Sequence, residues 1–269
     1  MIKLKKNYII GTRSSNLALK QCQLVKEKLQ NKFPEVEFEI KEISTAGDRE
    51  RDKKFSEING EGIFVREIEL ALLAGEIDLA VHSFKDLPTE LPEDLEVAAV
   101  IDRANRHDVL AGAEKKLAEL PEGARLGTGS LRRKSQLLAY RSDLEIVPIR
   151  GNIETRLKKI KTQNLDGVIL AAAGLERLGL QDQITEYLST EICLPAARQG
   201  AVAVEIRKES TELKKILKEA GELDGSRIIR RKVSTNDLNL NSVQKLGRKL
   251  AREIKAAGGA EILASLQNN

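Results

Sequence analysis

The sequence predicts an α/β fold of two lobes with a cleft between them, and three observations predict it. Short apolar runs such as Leu79-Ala80-Val81, Gly167 to Ala171 and Ala201 to Ile206 read as buried strands. Several of these runs exit into polar or glycine-rich turns that open stretches of helical period. The chain also crosses at Asp102–Asp108 into a second unit of the same kind and crosses back at Leu194–Gly200 into another apolar strand. Leaving one α/β unit, building another and returning is the arrangement of two-lobed binding folds.

Composition narrows the function. With 269 residues the chain can bury a sizeable core and divide into two or three domains. Charged residues make up 32% and nearly balance, for a net charge of +4, which argues against a general polyanion binder. Aromatic residues are 3% with no Trp, so stacking platforms for single-stranded nucleic acid are poorly supplied. The start, MIKLKKNYII, has too short an apolar run for a signal peptide, and no run approaches the ~20 apolar residues of a membrane span. A cytoplasmic protein is expected, with neither nucleic acid nor membrane as partner. Cys22 and Cys193 form no disulfide framework or zinc pattern, and His107 has no supporting cluster, so no metal is expected.

In chain order, Tyr8 to Gly11 reads as a strand and Gly11 to Ser15 as the turn after it. Ser14 or Ser15 is placed to cap a helix to about Gln30, with Ala18, Cys22, Val25 and Leu29 at helical spacing. Val36, Phe38 and Ile40 alternate with charged residues as a half-buried strand. Ala46 to Gly62 is long, polar and without period, which reads as a lid. Phe64 to Ala74 is an amphipathic helix leading into IDLAVHSFKDLP. There the apolar strand turns abruptly polar at His82, Ser83, Lys85 and Asp86, outside the carboxyl end of a strand, where ligands of open α/β sheets bind. Asp86 is the candidate catalytic group, a carboxylate able to stabilise a cation or move a proton; the alternative is a turn former.

Glu96 to Ile101 is the next strand, and the charged DRANRHD run over Asp102–Asp108 is the first crossing. A second unit starts near Val109. Its strand Arg125 to Thr128 exits through Gly127-Thr128-Gly129-Ser130 into a helix whose first turn holds Arg132 and Arg133. Two arginines there oppose the helix dipole, so their use on an anion is expected. Leu144 to Ile149 exits through Arg150-Gly151-Asn152, with Arg156 one turn further. Four arginines in two successive turns point to a small polyanionic ligand, because a guanidinium pairs bidentately with carboxylate or phosphate. After the second crossing come a helix at Ser210 to Ala220, a strand at Arg227 to Ser234 and a helix at Val243 to Ala257.

IIGTRSSNLAL, STAGDR, GIFVREIELALLAGEIDLAVHSFKDLP, LGTGSLRRKSQLLA, IRGNIETRL, LAAAGLERLGL and LPAARQGAVAVE stand in the order found in porphobilinogen deaminases, also called hydroxymethylbilane synthases. The chain resembles that family from Tyr8 to about Lys218. The resemblance implies two periplasmic-binding-protein-like lobes and a monomer. It implies a transferase that joins four porphobilinogen molecules head to tail, with loss of ammonia, into hydroxymethylbilane for tetrapyrrole and haem biosynthesis. It assigns Asp86 to catalysis. It assigns Arg13, Ser15, Lys85, Ser130, Arg132, Arg133, Arg150 and Arg156 to the acetate and propionate groups of cofactor and growing oligopyrrole, and Gln199 and Gly200 to hinge-side contacts. The implied domains are 1–102 plus 199–220, 103–198, and a shortened α+β remnant at 221–269.

The departures concern the dipyrromethane cofactor. The family anchors it by a thioether to a cysteine in a Gly-Gly-Cys stretch of a third domain; no such stretch is present, and neither Cys22 nor Cys193 matches it. Glu61 stands at a lid position that is usually Lys, and Arg198 stands where Gly is usual beside Gln199. Three readings follow: a deaminase without the usual anchor, a non-catalytic two-lobed binder of oligopyrroles or other polycarboxylates, and an engineered scaffold.

Overall fold

The computed structural model describes residues 5–44, 65–221 and 240–259. The expected lid over 46–62 with Glu61, and the expected strand over 227–234, lie outside the described residues. Met1–Leu223 forms one compact unit and Asp224–Asn269 another. In the second unit the described elements are α7 (Leu240–Ile254) and a π-helical turn, Lys255–Gly259, that continues it.

The first unit contains two five-stranded sheets flanked by helices. The first sheet has β1 (Asn7–Arg13), β2 (Glu37–Ile43), β3 (Leu79–Ser83), β4 (Leu95–Arg103) and β10 (Ala201–Arg207), in the order β2-β1-β3-β10-β4. The second has β5 (Asp108–Ala111), β6 (Arg125–Gly127), β7 (Glu145–Val147), β8 (Gly167–Ala171) and β9 (Ile184–Tyr187), in the order β7-β6-β8-β5-β9. Helices α1 (Asn16–Lys32), α2 (Arg66–Leu73) and α6 (Thr211–Ala220) accompany the first sheet in sequence. Helices α3 (Leu131–Tyr140), α4 (Ile153–Thr162) and α5 (Ala172–Arg177) accompany the second.

Both faces of the first sheet are covered, which is why its central strands read as continuous apolar runs. In β3, Leu79 and Val81 enter one core with Cys22, Val25 and Leu29 of α1, while Ala80 enters another with Ile68 and Leu72 of α2. Each fully buried Leu, Val or Ile of this kind contributes about 1.5–3 kcal/mol. Cys22 is a core residue, as its helical spacing suggests.

Each sheet contains one reversed strand. β10 runs antiparallel to β3 and β4, and β5 runs antiparallel to β8 and β9. The two crossings explain this. The chain leaves the first sheet at the carboxyl end of β4 and leaves the second after β9. Each time it enters the other sheet at the edge where the remaining strands end, so the entering strand must run backwards. Both crossings therefore lie along the same edges as the turns that follow β1, β3, β6 and β7.

The crossings are tied together. Arg177 Nη2 donates to Asp102 Oδ2 and to the Gly200 carbonyl, each at 2.6 Å. Gly200 has φ of +90°, and a Cβ there would stand 2.4 Å from the Ala104 carbonyl oxygen. Glycine is required by both conformation and space. Gly200→Ala should therefore destabilise the first unit by at least about 1–3 kcal/mol, read as a lower midpoint in urea unfolding. An unchanged midpoint would show that the crossing yields.

Candidate functional site

The site is built from turns at the carboxyl edges of both sheets. After β1, Ser15 caps α1, its Oγ accepting from the Ala18 amide at 3.4 Å. After β3, the chain makes a single 3₁₀ turn, Phe84–Asp86, that leaves Asp86 exposed at its end. Arg13, Ser15, Gln21, His82, Ser83 and Asp86 line one small solvent-open pocket. Arg13, Ser15 and Asp86 are thus brought together in space. Gln21, which helical spacing does not single out, is buried and accepts from Ser83 Oγ at 3.0 Å. His82 turns inward, its Nε2 3.0 Å from Glu205 Oε2 on β10.

In the second sheet, Ser130 caps α3, its Oγ accepting from the Arg133 amide at 3.4 Å, and Asn152 caps α4 through the Thr155 amide at 3.0 Å. Arg150 and Arg156 are both half-buried, and Arg156 Nε donates to the Gly151 carbonyl at 2.7 Å. Burial lowers the pKa of the Arg156 guanidinium, the Arg133 charge lowers it further, and Asp86 opposes both. Lys85 is exposed as a residue, while its ammonium is drawn toward Gln199 and loses part of its hydration. That desolvation is the largest influence and lowers its pKa; Asp86 acts against it, Arg133 acts with it, Asp108 against and Arg132 with it. The Asp86 charge thus acts on Arg156, and the Arg132 and Arg133 charges act on Lys85. The ends of two helices also meet across the cleft, where Asn16 Nδ2 donates to Glu154 Oε1 at 2.7 Å.

Arg132 and Arg133 stand side by side in the first turn of α3. Their first anion is a carboxylate of the protein itself. Asp108, read from sequence as part of a charged crossing, is fully buried at the start of β5. Arg132 Nη1 lies 2.7 Å from Asp108 Oδ2, and Arg133 Nη2 and Nε lie 2.6 and 3.1 Å from Oδ1. Gln199 Nε2 donates to the same Oδ1 at 2.9 Å, and its Oε1 accepts from Lys85 Nζ at 3.2 Å. Arg133 also donates from Nη1 to the Ile169 carbonyl at 2.9 Å, so all three of its guanidinium nitrogens are engaged. Burial alone would raise the Asp108 pKa; the Arg133 charge and the hydrogen bonds from Arg132, Arg133 and Gln199 outweigh it and bring it down to about 2. The only sequence signal for this role was an acidic residue opening the apolar run Val109-Leu110-Ala111.

Gly200 contributes backbone rather than a side chain, as described above. Arg198 adopts φ of +63°, the left-handed region that favours glycine, and its guanidinium lies 4.4 Å from the centre of the Phe84 ring. Among the described residues no group of three or more His, Cys, Asp or Glu side chains is placed to hold a metal.

Both cysteines are fully buried. Burial pushes the Cys22 thiol up to about 12. Burial and then the Asp108 carboxylate push Cys193 up to about 11. The thiolate is the nucleophile, so neither side chain is suited to form a thioether.

A family model described as "Porphobilinogen deaminase, dipyromethane cofactor binding domain" matches residues 8–215. A protein named porphobilinogen deaminase from Geobacter sp. (strain M21) is 48% identical over 221 residues, covering 82% of this chain and 70% of that protein. Another of that name, from Syntrophus aciditrophicus (strain SB), is 51% identical over 206 residues, covering 76% and 67%. Among solved structures, a putative methionine-binding lipoprotein from Bacillus subtilis aligns over 80% of this chain and 90% of its own, with a TM-score of 0.49 and 14% identity.

Two outcomes are expected. Native protein at pH 8 should leave both cysteines unmodified by a thiol reagent, and unfolding should expose both; a thiol that labels in the native state would be available as an anchor. Asp108 has a depressed native pKa, so its contribution is complete above the ordinary carboxyl value of ~3.9 and is lost as pH falls through about 2. It amounts to about 2–3 kcal/mol at neutral pH. The gap in unfolding free energy between wild type and Asp108→Asn should shrink between pH 4 and pH 2.

Proposed function

The chain belongs to the porphobilinogen deaminase family, and on that premise we propose that it joins four porphobilinogen molecules head to tail, releasing one ammonia at each addition, with one water supplying the terminal hydroxyl of the linear hydroxymethylbilane. The observation that carries this reading is the linking of charged groups across the cleft. Asp86 shares a pocket with Arg13 and Ser15, and Lys85 beside it is hydrogen-bonded to Gln199, which reaches Asp108 and the arginine pair of the opposite sheet.

The chemistry suits that arrangement. Each pyrrole carries an acetate and a propionate, so a growing oligopyrrole is strongly anionic. Arg13, Ser15, Lys85, Ser130, Arg132, Arg150 and Arg156 supply cations, hydroxyls and capped helix ends from both sheets to hold such carboxylates. Loss of ammonia from porphobilinogen leaves a cation. Asp86, a fixed negative charge at the strand end, stabilises that cation and accepts hydrogen bonds from pyrrole N–H groups. In this reading Arg133 and Gln199 act mainly through Asp108, and Gly200 shapes the crossing. The proposed domains are 1–102 with 199–220, 103–198 and 221–269; support comes from β10 returning to the first sheet. The reading includes a cytoplasmic monomer without nucleic-acid or membrane partners, in keeping with the near balance of 45 basic and 41 acidic residues.

The dipyrromethane cofactor expected of the family divides into two requirements. Its carboxylates suit the cationic turns. Its thioether does not suit this chain, because Cys22 and Cys193 are the only cysteines and both are buried. That observation favours a second reading, a two-lobed protein that binds oligopyrroles or other polycarboxylates without turnover.

Incubation with porphobilinogen, followed by ammonia release and absorbance of a linear tetrapyrrole, separates the two readings. Turnover is expected, and Asp86→Asn should lower it by about 10²- to 10⁴-fold while the fold is kept. Calorimetric binding with no ammonia would establish the non-catalytic binder instead. Full activity in Asp86→Asn would remove Asp86 from catalysis.

A further inference from the structure

We propose that Asp108 is the positioning residue of the cleft, dividing the adjacent arginines into one that holds ligand and one that holds the protein, and linking them through Gln199 to Lys85 on the facing side. This rests on the functional reading above for the identity of the ligand, but the arrangement itself stands on geometry.

The division follows from which nitrogens are engaged. Arg133 has a side chain only 7% exposed and directs Nε and Nη2 to Asp108 and Nη1 to the Ile169 carbonyl. With all three nitrogens held by the protein and the side chain almost wholly buried, it is turned away from a carboxylate of a ligand. Arg132 is 27% exposed, and its hydrogen bonds to described residues all leave from Nη1, toward Asp108, the Leu194 carbonyl and Cys193 Sγ. One corner of that guanidinium is fixed while Nε and Nη2 remain for a bidentate partner. A helix whose first turn carries two arginines would otherwise hold two mutually repelling, mobile cations. A buried carboxylate between them locks one and aims the other.

The same carboxylate reaches across the cleft. Gln199 donates from Nε2 to Asp108 Oδ1 and to the Arg106 carbonyl, at 2.9 and 2.7 Å, and its Oε1 accepts from Lys85 Nζ. Lys85 immediately precedes Asp86 in the catalytic turn. A continuous chain of side chains thus runs from the arginine turn, through the second crossing, to the turn after β3. Asp108 touches no ligand-facing space itself, since it is fully buried. Its effect must pass through Arg132 and Gln199.

Two measurements test this. The first needs no ligand: brief labelling with phenylglyoxal, mapped by peptide mass spectrometry. Arg132 should label at least several-fold faster than Arg133 in wild type, and Asp108→Asn should abolish the difference. Equal labelling in folded wild type would overturn the positioning. The second is a double-mutant cycle in porphobilinogen affinity by calorimetry, with folding of each variant checked by circular dichroism. Arg132→Gln and Asp108→Asn should each weaken binding by roughly tenfold, and the double variant should be no weaker than Arg132→Gln alone. Asp108→Asn combined with Arg13→Gln, on the other sheet, should instead show the product of the two losses. Multiplying losses for the Asp108–Arg132 pair would overturn the proposal, because a merely structural defect would combine independently with both arginines. Absence of any porphobilinogen binding in wild type would overturn the functional reading and the ligand-holding role of Arg132, while the labelling pattern would still decide the arrangement.

Discussion

A carboxylate with no access to water lies where the two crossings and the arginine turn converge. Removing an ion from water costs several kcal/mol, and only close, well-oriented countercharges offset it. Asp108 obtains them from Arg132 and Arg133, with Gln199 as a neutral donor. Those three residues come from the start of α3 and from the second crossing, so satisfying one carboxylate brings both segments into register. Removing one partner of such a buried pair typically costs 3–5 kcal/mol, a large share of the stability of an ordinary domain.

The position of this carboxylate depends on strand direction. In an all-parallel sheet the first residue of a strand lies at the edge opposite the binding turns. Because β5 is reversed, its first residue stands beside the last residue of β8, Asp108 opposite Ala171. The reversal of β10 does the same for Gln199 and Gly200, which precede a strand that pairs with β3. The crossings are thus part of the cleft edge. Connectivity, strand direction and cleft chemistry are one constraint seen at three scales.

The thiols show the limit of family membership. The matched region is the cofactor-binding part of the family, and the cleft cations agree with a polycarboxylate ligand. Covalent attachment is a separate property that needs an accessible thiolate. Cys22 fills the space between α1 and the first sheet, and Cys193 donates to Asp108 Oδ2 at 3.3 Å within a buried network. Each serves packing or hydrogen bonding, which is the common fate of a buried cysteine.

The sequence alone determined the two α/β units, the strand exits and the residues of the Asp86 turn, because apolar periodicity and capping are local properties. It also determined the family, through HSFKDLP and SLRRKSQL with RGNIETR. The lid and the strand over 227–234 fall outside the described residues. Only the tertiary structure decided that Arg132 and Arg133 have different tasks, since adjacent residues with the same chemistry look alike until their burial is known. Only it revealed that Asp108 is buried rather than part of an exposed charged crossing, and that Gln199 bridges Asp108 to Lys85. These depend on contacts between residues up to 114 positions apart. No local pattern encodes such pairs, because their partners are chosen by strand order and direction.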